Sequence, residues 1–291
     1  MINIYLILLN KKDGEGEDDH PFPELSNKSI SSLDELVDDQ RIRKKEDDGL
    51  KLVETVFDNK TRLILFKMMN KGLFSVLEGA ISSGKEANVY FAYTKKESIA
   101  IKIFRIDAPS FKKMRPYVEG DFRFKRFKSS RSGFIEVWAR KEFKNLKRMA
   151  EHGIPVPKPI AVERNILLME FLGDEDSVLP RLKESPPKNP SSLYKRIMES
   201  IKTIYRQCKL VHADLSEYNI LYNKKTDEYF IIDVSQAVLN SHPQASIFLV
   251  RDLSNINNYF SSFQVKVFEI GKLFKWVTGE KIDENLLIDL L

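Results

Sequence analysis

His212-Ala213-Asp214-Leu215-Ser216-Glu217-Tyr218-Asn219, followed by Ile231-Ile232-Asp233, is the stretch on which the fold of this chain turns. A helical stripe of Leu193, Ile197, Ile201, Ile204, Tyr205 and Cys208 precedes it. Strand-like pieces at 220–222 and 229–232 follow, bracketing a turn at 223–227. Asp214 and Asn219 therefore share one loop between a helix and a strand, and Asp233 ends the next strand. The turn folds Asp233 back beside Asn219. Phosphoryl transfer asks for such a set: a carboxylate near the attacking hydroxyl and oxygen ligands for a divalent cation. Asp214 fits the base, and Asn219 and Asp233 fit the ligands of Mg²⁺ or Mn²⁺. Each residue alone reads as a loop acid or a turn asparagine, and only the joint spacing carries chemistry.

Two anomalies upstream support this reading. Lys102 sits inside the apolar strand Ala100-Ile101-Lys102-Ile103-Phe104, where an unpartnered ammonium is costly. The next helix, expected from Phe134 to about His152, places Glu142 on a face with Ile135, Trp138, Leu146 and Met149. Each buried charge explains the other. The order Asp214, Asn219, Asp233 and the Lys102–Glu142 pair match the protein-kinase catalytic set. Gly79-Ala-Ile-Ser-Ser-Gly84-Lys85-Glu86, between two strands, has small residues that let backbone N–H groups approach phosphate. A strand follows it rather than a helix, which argues against a Walker A loop.

Around these motifs the chain of 291 residues is long enough for a sizeable core. Residues 1–48 carry charge runs and little pattern, the mark of a mobile tail. Met1 to Asn10 is apolar but short, lacks a basic flank and precedes an acidic stretch, so it reads as an extension and not a leader. Residues 49–76 read as helices packing on the following lobe. Leu50, Val53 and Phe57 mark one helix, and Leu63, Phe66 and Met69 a second that opens after Asp58 or Asn59 and stops at Gly72. Residues 77–171 read as a sheet with one helix, its first strands at Phe74–Glu78, Ala87–Tyr93 and Ser98–Phe104. Residues 172–291 read as mainly helical. The class is α+β, in two lobes with a cleft between them. A single cysteine, Cys208, excludes an intrachain disulfide, and no run approaches the ~20 apolar residues of a membrane span. A cytoplasmic protein is expected. The net charge of +5 is compatible with a polyanionic partner such as RNA.

Ser82-Ser83-Gly84-Lys85-Glu86-Ala87-Asn88-Val89-Tyr90, the loop from His212 to Asn219, and Ile232-Asp233-Val234-Ser235-Gln236-Ala237 resemble the RIO family of atypical serine kinases, its RIO-one branch above all. The similarity covers about residues 50–270. It implies a two-lobed kinase fold without the usual activation loop and substrate-binding subdomains. By that resemblance Lys102 contacts the phosphates of ATP and Glu142 orients it. Ser82, Ser83, Gly84 and Lys85 cover the phosphates, Met169, Glu170 and Phe171 form the adenine hinge, and Asp252 braces the catalytic loop. It also implies Mg-ATP-dependent kinase or ATPase action in maturation of the small ribosomal subunit. Pre-ribosomal particles and ribosomal RNA would be partners, and protein serines, its own included, acceptors.

Two alternatives stand beside it. A small-molecule phosphotransferase of kinase-like fold shares the loop pattern but wants a longer helical half after Asn219. An idle RNA- or ribosome-binding scaffold is at odds with the complete set Lys102, Glu142, Asp214, Asn219 and Asp233. Residues 107–133, basic and aromatic with no clean period, read as a flexible insertion. Their cations and rings suit unpaired RNA. Ordering them is expected to move Glu142 toward Lys102, with Ser110, Ser129 and Ser130 as self-phosphorylation acceptors.

Overall fold

A computed structural model describes residues 57–108, 111–119, 121–124, 130–174 and 177–282. The expectations for the tail 1–48, for Leu50 and Val53, and for Ser110, Lys125, Arg126, Phe127, Lys128 and Ser129 lie outside the described residues.

The chain divides into two compact units, residues 1–79 and 80–291. In the first, α1 (Asn59–Asn70) begins where the Asp58 carboxylate accepts hydrogen bonds from the backbone N–H groups of Lys60 and Thr61. Such a cap is worth ~1 kcal/mol. Gly72 follows the helix in the left-handed region, φ 71°. The buried face of α1 is Thr61, Ile64, Leu65 and Met68, and Leu63 is 62% exposed. That corrects the Leu63–Phe66–Met69 stripe: two apolar stripes run side by side on this helix, and spacing alone does not choose between them. β1 (Val76–Ser83) continues past the expected end at Glu78, so residues 79–83 are strand and not loop.

The second unit contains β2 (Ala87–Tyr93), β3 (Ser98–Phe104), β4 (Pro159–Glu163) and β5 (Ile166–Glu170), which pair in the order β2-β3-β5-β4. β3 is central and almost wholly buried, with Lys102 opposite Val89 on one side and Leu167 on the other. A short helix α2 (Phe111–Met114) leads toward α3 (Arg131–Glu151), which packs on β4 and β5. Ser130 caps α3, its hydroxyl oxygen accepting from Gly133 N at 3.2 Å. In the helical half, α4 (Pro190–Arg206) packs against α5 (Ala245–Ser261) and α6 (Ile270–Thr278). Between them lie the hairpin β7 (Ile220–Asn223) and β8 (Glu228–Ile231), and the two-residue strands β6 (Leu210–Val211) and β9 (Val238–Leu239). One apolar core runs from Phe104 and α3 through α4 to α5 and α6. Cys208 is buried in it, just past the end of α4.

The described part of 107–133 is built of short helical segments. After α2 come tight helical turns at Arg115–Tyr117 and Phe122–Phe124. Met114, Val118 and Phe124 are buried. The Tyr117 ring stacks on Phe248 at 5.2 Å and meets Trp138 edge-on at 6.3 Å. His242 Nε2 lies 3.1 Å from both the Pro116 and Glu119 carbonyl oxygens. Charge dominates the sequence of this stretch, and Met114, Val118 and Phe124 are the apolar residues that dock, while Phe122 stays exposed. Among the described residues no helix is long and apolar enough to cross a membrane.

Candidate active site

The loop 212–219 is fixed at its start by β6, whose Leu210 and Val211 pair with Leu239 and Val238 of β9. Its middle has no strand partner, and α5 supplies one. Asp252 accepts from Ala213 N through Oδ2 and from Leu215 N through Oδ1, both at 2.8 Å. Arg251 donates to the Ala213 carbonyl, and Asn255 Nδ2 to the Leu215 carbonyl at 3.1 Å. Ala213 has a left-handed φ of 68°, a strained choice for alanine that these bonds hold in place. The Asp252 brace implied by the resemblance is therefore present. Burial pushes the Asp252 carboxyl up to about 7, against its two backbone hydrogen bonds.

Asp214 is presented between these braced residues. Asn219 Nδ2 donates to its carbonyl at 2.7 Å and to Oδ2 at 3.3 Å, and Gln236 Nε2 donates to Oδ2 at 3.1 Å. Burial, reinforced by the charge of Asp233, raises the Asp214 carboxyl to about 6, while Arg251 and the Asn219 bond pull the other way. A base is most effective when it titrates near the working pH. His212 is buried and its pKa falls to about 4, so it is neutral at pH 7. Its Nε2 lies 3.2 Å from the Ile232 carbonyl oxygen and, in the tautomer that donates, ties the loop to the strand end before Asp233.

The β7–β8 hairpin brings Asp233 back as its spacing requires: Ile220 pairs with Ile231, and Ile232 N donates to the Asn219 carbonyl at 2.9 Å. Asp233 itself has φ 57°. Its Oδ1 receives Lys102 Nζ at 3.0 Å and Ser235 Oγ at 2.9 Å. The side chain is 44% exposed, so this carboxylate still reaches solvent. Desolvation works against its charge, but Lys102 and the hydroxyl of Ser235 hold it below the usual range.

Lys102 and Glu142 meet. Lys102 Nζ lies 2.9 Å from Glu142 Oε1 and 2.8 Å from Oε2, and the Glu142 side chain is 1% exposed. Burial disfavours the ammonium, yet two carboxylates outweigh it and raise its pKa. Burial likewise raises Glu142, against the pull of Lys102. One cation thus bridges two carboxylates, one from α3 and one from the strand end. The expected inward movement of Glu142 has no place in this conformation, because the pair is already formed.

The remaining candidates lie along the sheet. Ser82, Ser83, Gly84 and Lys85 are exposed where β1 turns into β2, and Gly84 N donates to the Ala87 carbonyl at 3.0 Å. Met169 and Glu170 end β5, and the Phe171 ring meets Phe91 edge-on at 4.6 Å. Just beyond them Gly173 has no room for a side chain: a Cβ would lie 2.3 Å from the Ser177 carbonyl oxygen. Sequence reasoning assigned no role to Gln236, Arg251, Asn255, Lys141 or Asn145. Lys141 and Asn145 carried a legible signal, since they are polar residues on the apolar face of α3 that bears Glu142.

The donor set suits a hard divalent cation. The Asn219 amide nitrogen is committed to Asp214, which leaves its oxygen available to a cation, and the bonds from Lys102 and Ser235 engage Asp233 Oδ1, which leaves Oδ2 available. Oxygen-only donors fit Mg²⁺ or Mn²⁺ and not zinc.

Comparison with known proteins follows the same lines. A model of the RIO domain matches residues 88–273. The serine/threonine-protein kinase rio1 of Dictyostelium discoideum is 40% identical over 275 residues, 92% of this chain and 48% of that protein. The RIO-type serine/threonine-protein kinase Rio1 of Haloferax volcanii is 40% identical over 253 residues, 87% of this chain and 86% of that one. The chain spans about half the length of several curated relatives that it matches. Among solved structures, the Rio2 kinase–ADP/Mg²⁺–phosphoaspartate complex from Chaetomium thermophilum superimposes with a TM-score of 0.60 at 26% identity, covering 79% of this chain and 73% of that one. Its sheet-and-helix lobe joined to a helical lobe is the two-lobed, kinase-like α+β fold, and only the short β9 lies between Asp233 and α5. A domain match over most of the chain, and relatives at 40% identity along most of its length, lead to one conclusion: the chain belongs to the RIO domain family.

Proposed function

We propose that this chain is an ATP-dependent serine/threonine protein kinase of the RIO type, using Mg²⁺ or Mn²⁺. The observation that carries the reading is Lys102 bridging Glu142 and Asp233 beside a carboxylate, Asp214, that Asn219 and Gln236 hold in place. The acceptor hydroxyl hydrogen-bonds to Asp214. Its oxygen attacks the γ-phosphorus, the bond from that phosphorus to the bridging oxygen of ADP breaks, and Asp214 takes the proton. Asn219 and Asp233 hold the cation, which when bound neutralises charge on the phosphates. Lys102, held by Glu142 and by Asp233 Oδ1, would donate its remaining N–H to phosphate, while Asp233 Oδ2 would be the atom that meets the cation. The exposed backbone at 82–85 covers the phosphates, and Met169, Glu170 and Phe171 line the adenine.

The test is transfer from γ-labelled ATP to serine, on the protein itself or on an added substrate. Asp214→Ala is expected to lose about a hundredfold to ten-thousandfold, or ~3–5 kcal/mol of barrier stabilisation, while still binding ATP. Transfer within threefold of the unsubstituted protein overturns the base assignment.

A second reading is favoured by the phosphoaspartate in the Chaetomium Rio2 complex. Here an oxygen of Asp233 attacks the γ-phosphorus, ADP leaves, and water then cleaves the acyl phosphate, so that the net reaction is ATP hydrolysis. Phosphoprotein that survives hydroxylamine counts against it. The proposed setting is maturation of the small ribosomal subunit in the cytoplasm, on pre-ribosomal particles and their RNA. The net charge of +5 suits such a polyanion. Recovery of those particles on the protein should depend on whether ATP or a non-hydrolysable analogue is supplied.

A further inference from the structure

Two polar residues on the buried face of α3 take no part in the chemistry above. Lys141 and Asn145 are both fully buried. Lys141 Nζ donates to the Ser235 carbonyl at 2.8 Å and to the Ala237 carbonyl. Asn145 Nδ2 donates to the Val234 carbonyl at 3.0 Å and to the Ala237 carbonyl at 3.2 Å. Three carbonyls of the turn that follows Asp233 are therefore gripped by side chains of the helix that carries Glu142.

What this turn holds makes the grip matter. It begins at Asp233, whose left-handed backbone persists only because its surroundings impose it. Its Ser235 hydroxyl donates to Asp233, and its Gln236 amide donates to Asp214. A displacement of the turn would shift a metal ligand and a partner of the base together.

The grip has an outer end. Asn145 Oδ1 accepts from Arg123 NH1 at 3.0 Å, which fixes the orientation of the amide so that its NH₂ faces the two carbonyls. Arg123 is in turn paired with Asp121 at 2.7 Å, with side-chain exposures of 9% and 1%. Both lie in the connector between β3 and α3, far along the chain from Asp233. A polar chain thus leads from that connector, through one amide, to the metal turn.

We infer that Asn145, oriented by Arg123, is a positioning residue for the Asp233 turn, and that the Asp121–Arg123 pair is the handle by which the connector sets the geometry of the metal site. The inference rests on the reading of Asp233 as a metal ligand. The connector docks on the helical half through Tyr117 and through His242, so whatever loosens it there acts on the turn through Arg123.

The experiment measures ADP affinity by calorimetry with Mg²⁺ and again with EDTA, together with the thermal midpoint. Three variants are compared with the unsubstituted protein. Asn145→Ala removes both donors. The double variant Asp121→Asn/Arg123→Met removes the orienting donor and both charges of the ion pair, so neither partner is left charged without the other. Arg123→Lys keeps a cation for Asp121 and a donor for Asn145. The Mg²⁺-dependent gain in affinity is expected to fall about fivefold to twentyfold in the first two and to stay within about twofold in the third, with affinity in EDTA unchanged throughout. Should Asn145→Ala not fold, the double variant decides. A gain that survives in the folded variants overturns the inference alone, as does an equal loss with and without Mg²⁺. No Mg²⁺-dependent gain in the unsubstituted protein overturns the metal reading of Asp233, and the inference with it.

Discussion

Replacing Lys102 and Glu142 singly and together tests the centre of the site. Lys102 is the cation between two carboxylates, at 2.8 Å from Glu142 and 3.0 Å from Asp233. Lys102→Met leaves both without the ammonium that bonds them, and Glu142 is 1% exposed. Breaking a buried pair in this way costs ~3–5 kcal/mol. Glu142→Gln is milder: Lys102 keeps Asp233, the new amide oxygen still accepts, and the loss should be ~1–2 kcal/mol. In the double variant the orphaned charge of Glu142 is gone, so it should be more stable than Lys102→Met alone. The coupling energy is then at least ~1 kcal/mol. A sign follows for pH as well. Burial raises Glu142, and an acid with a raised folded-state pKa gives stability that is present at low pH and lost as pH rises through that value. Without Lys102 the rise is larger, so Lys102→Met should lose stability steadily as pH climbs above the ordinary carboxylate range. The assay is urea unfolding at 25 °C on all four proteins across pH, with the slope of the transition checked for constancy. Coupling below ~0.5 kcal/mol, or a greater cost for Glu142→Gln than for Lys102→Met, refutes the bridge.

The base and its brace give two further outcomes. With the Asp214 carboxyl raised to about 6, kcat/KM should climb with unit logarithmic slope below that pH and level off above it, and a profile flat between pH 5 and 7 would remove Asp214 as the titrating base. Asp252→Ala leaves the Ala213 and Leu215 N–H groups without their partner, a gross cost of ~1–3 kcal/mol each, offset in part by removal of a carboxylate that burial already disfavours; a net loss of ~1–3 kcal/mol and a fall in turnover beyond tenfold are expected, and unchanged turnover would show that the loop holds itself.

Most of the site's membership was legible from local pattern. The loop from His212 to Asn219 and the strand-end Asp233 follow from one helix stripe and one hairpin, and the hairpin closes as its turn requires, Ile220 against Ile231. The two buried charges were legible as anomalies, each in an apolar setting that hydrophobic periodicity marks. Other features failed to show for stated reasons. The inward face of α1 was misread because Leu63, Phe66 and Met69 lie beside an equally apolar set. The connector after β3 looked structureless because its charges outnumber Met114, Val118 and Phe124, the residues that anchor it.

Which residue types could do the chemistry, and in what order they occur, is written in the chain itself, because a helix stripe, a strand alternation and a turn are set by neighbours a few positions apart. How they meet is a matter of the folded chain. Lys102 reaches Asp233 across 131 positions of sequence and Asn145 reaches Val234 across 89. Contacts so far apart depend on how α3 is rolled against the sheet and on where the β7–β8 hairpin ends. Local propensity is blind to both, since a buried lysine or asparagine is tolerated only where the folded chain supplies its acceptors.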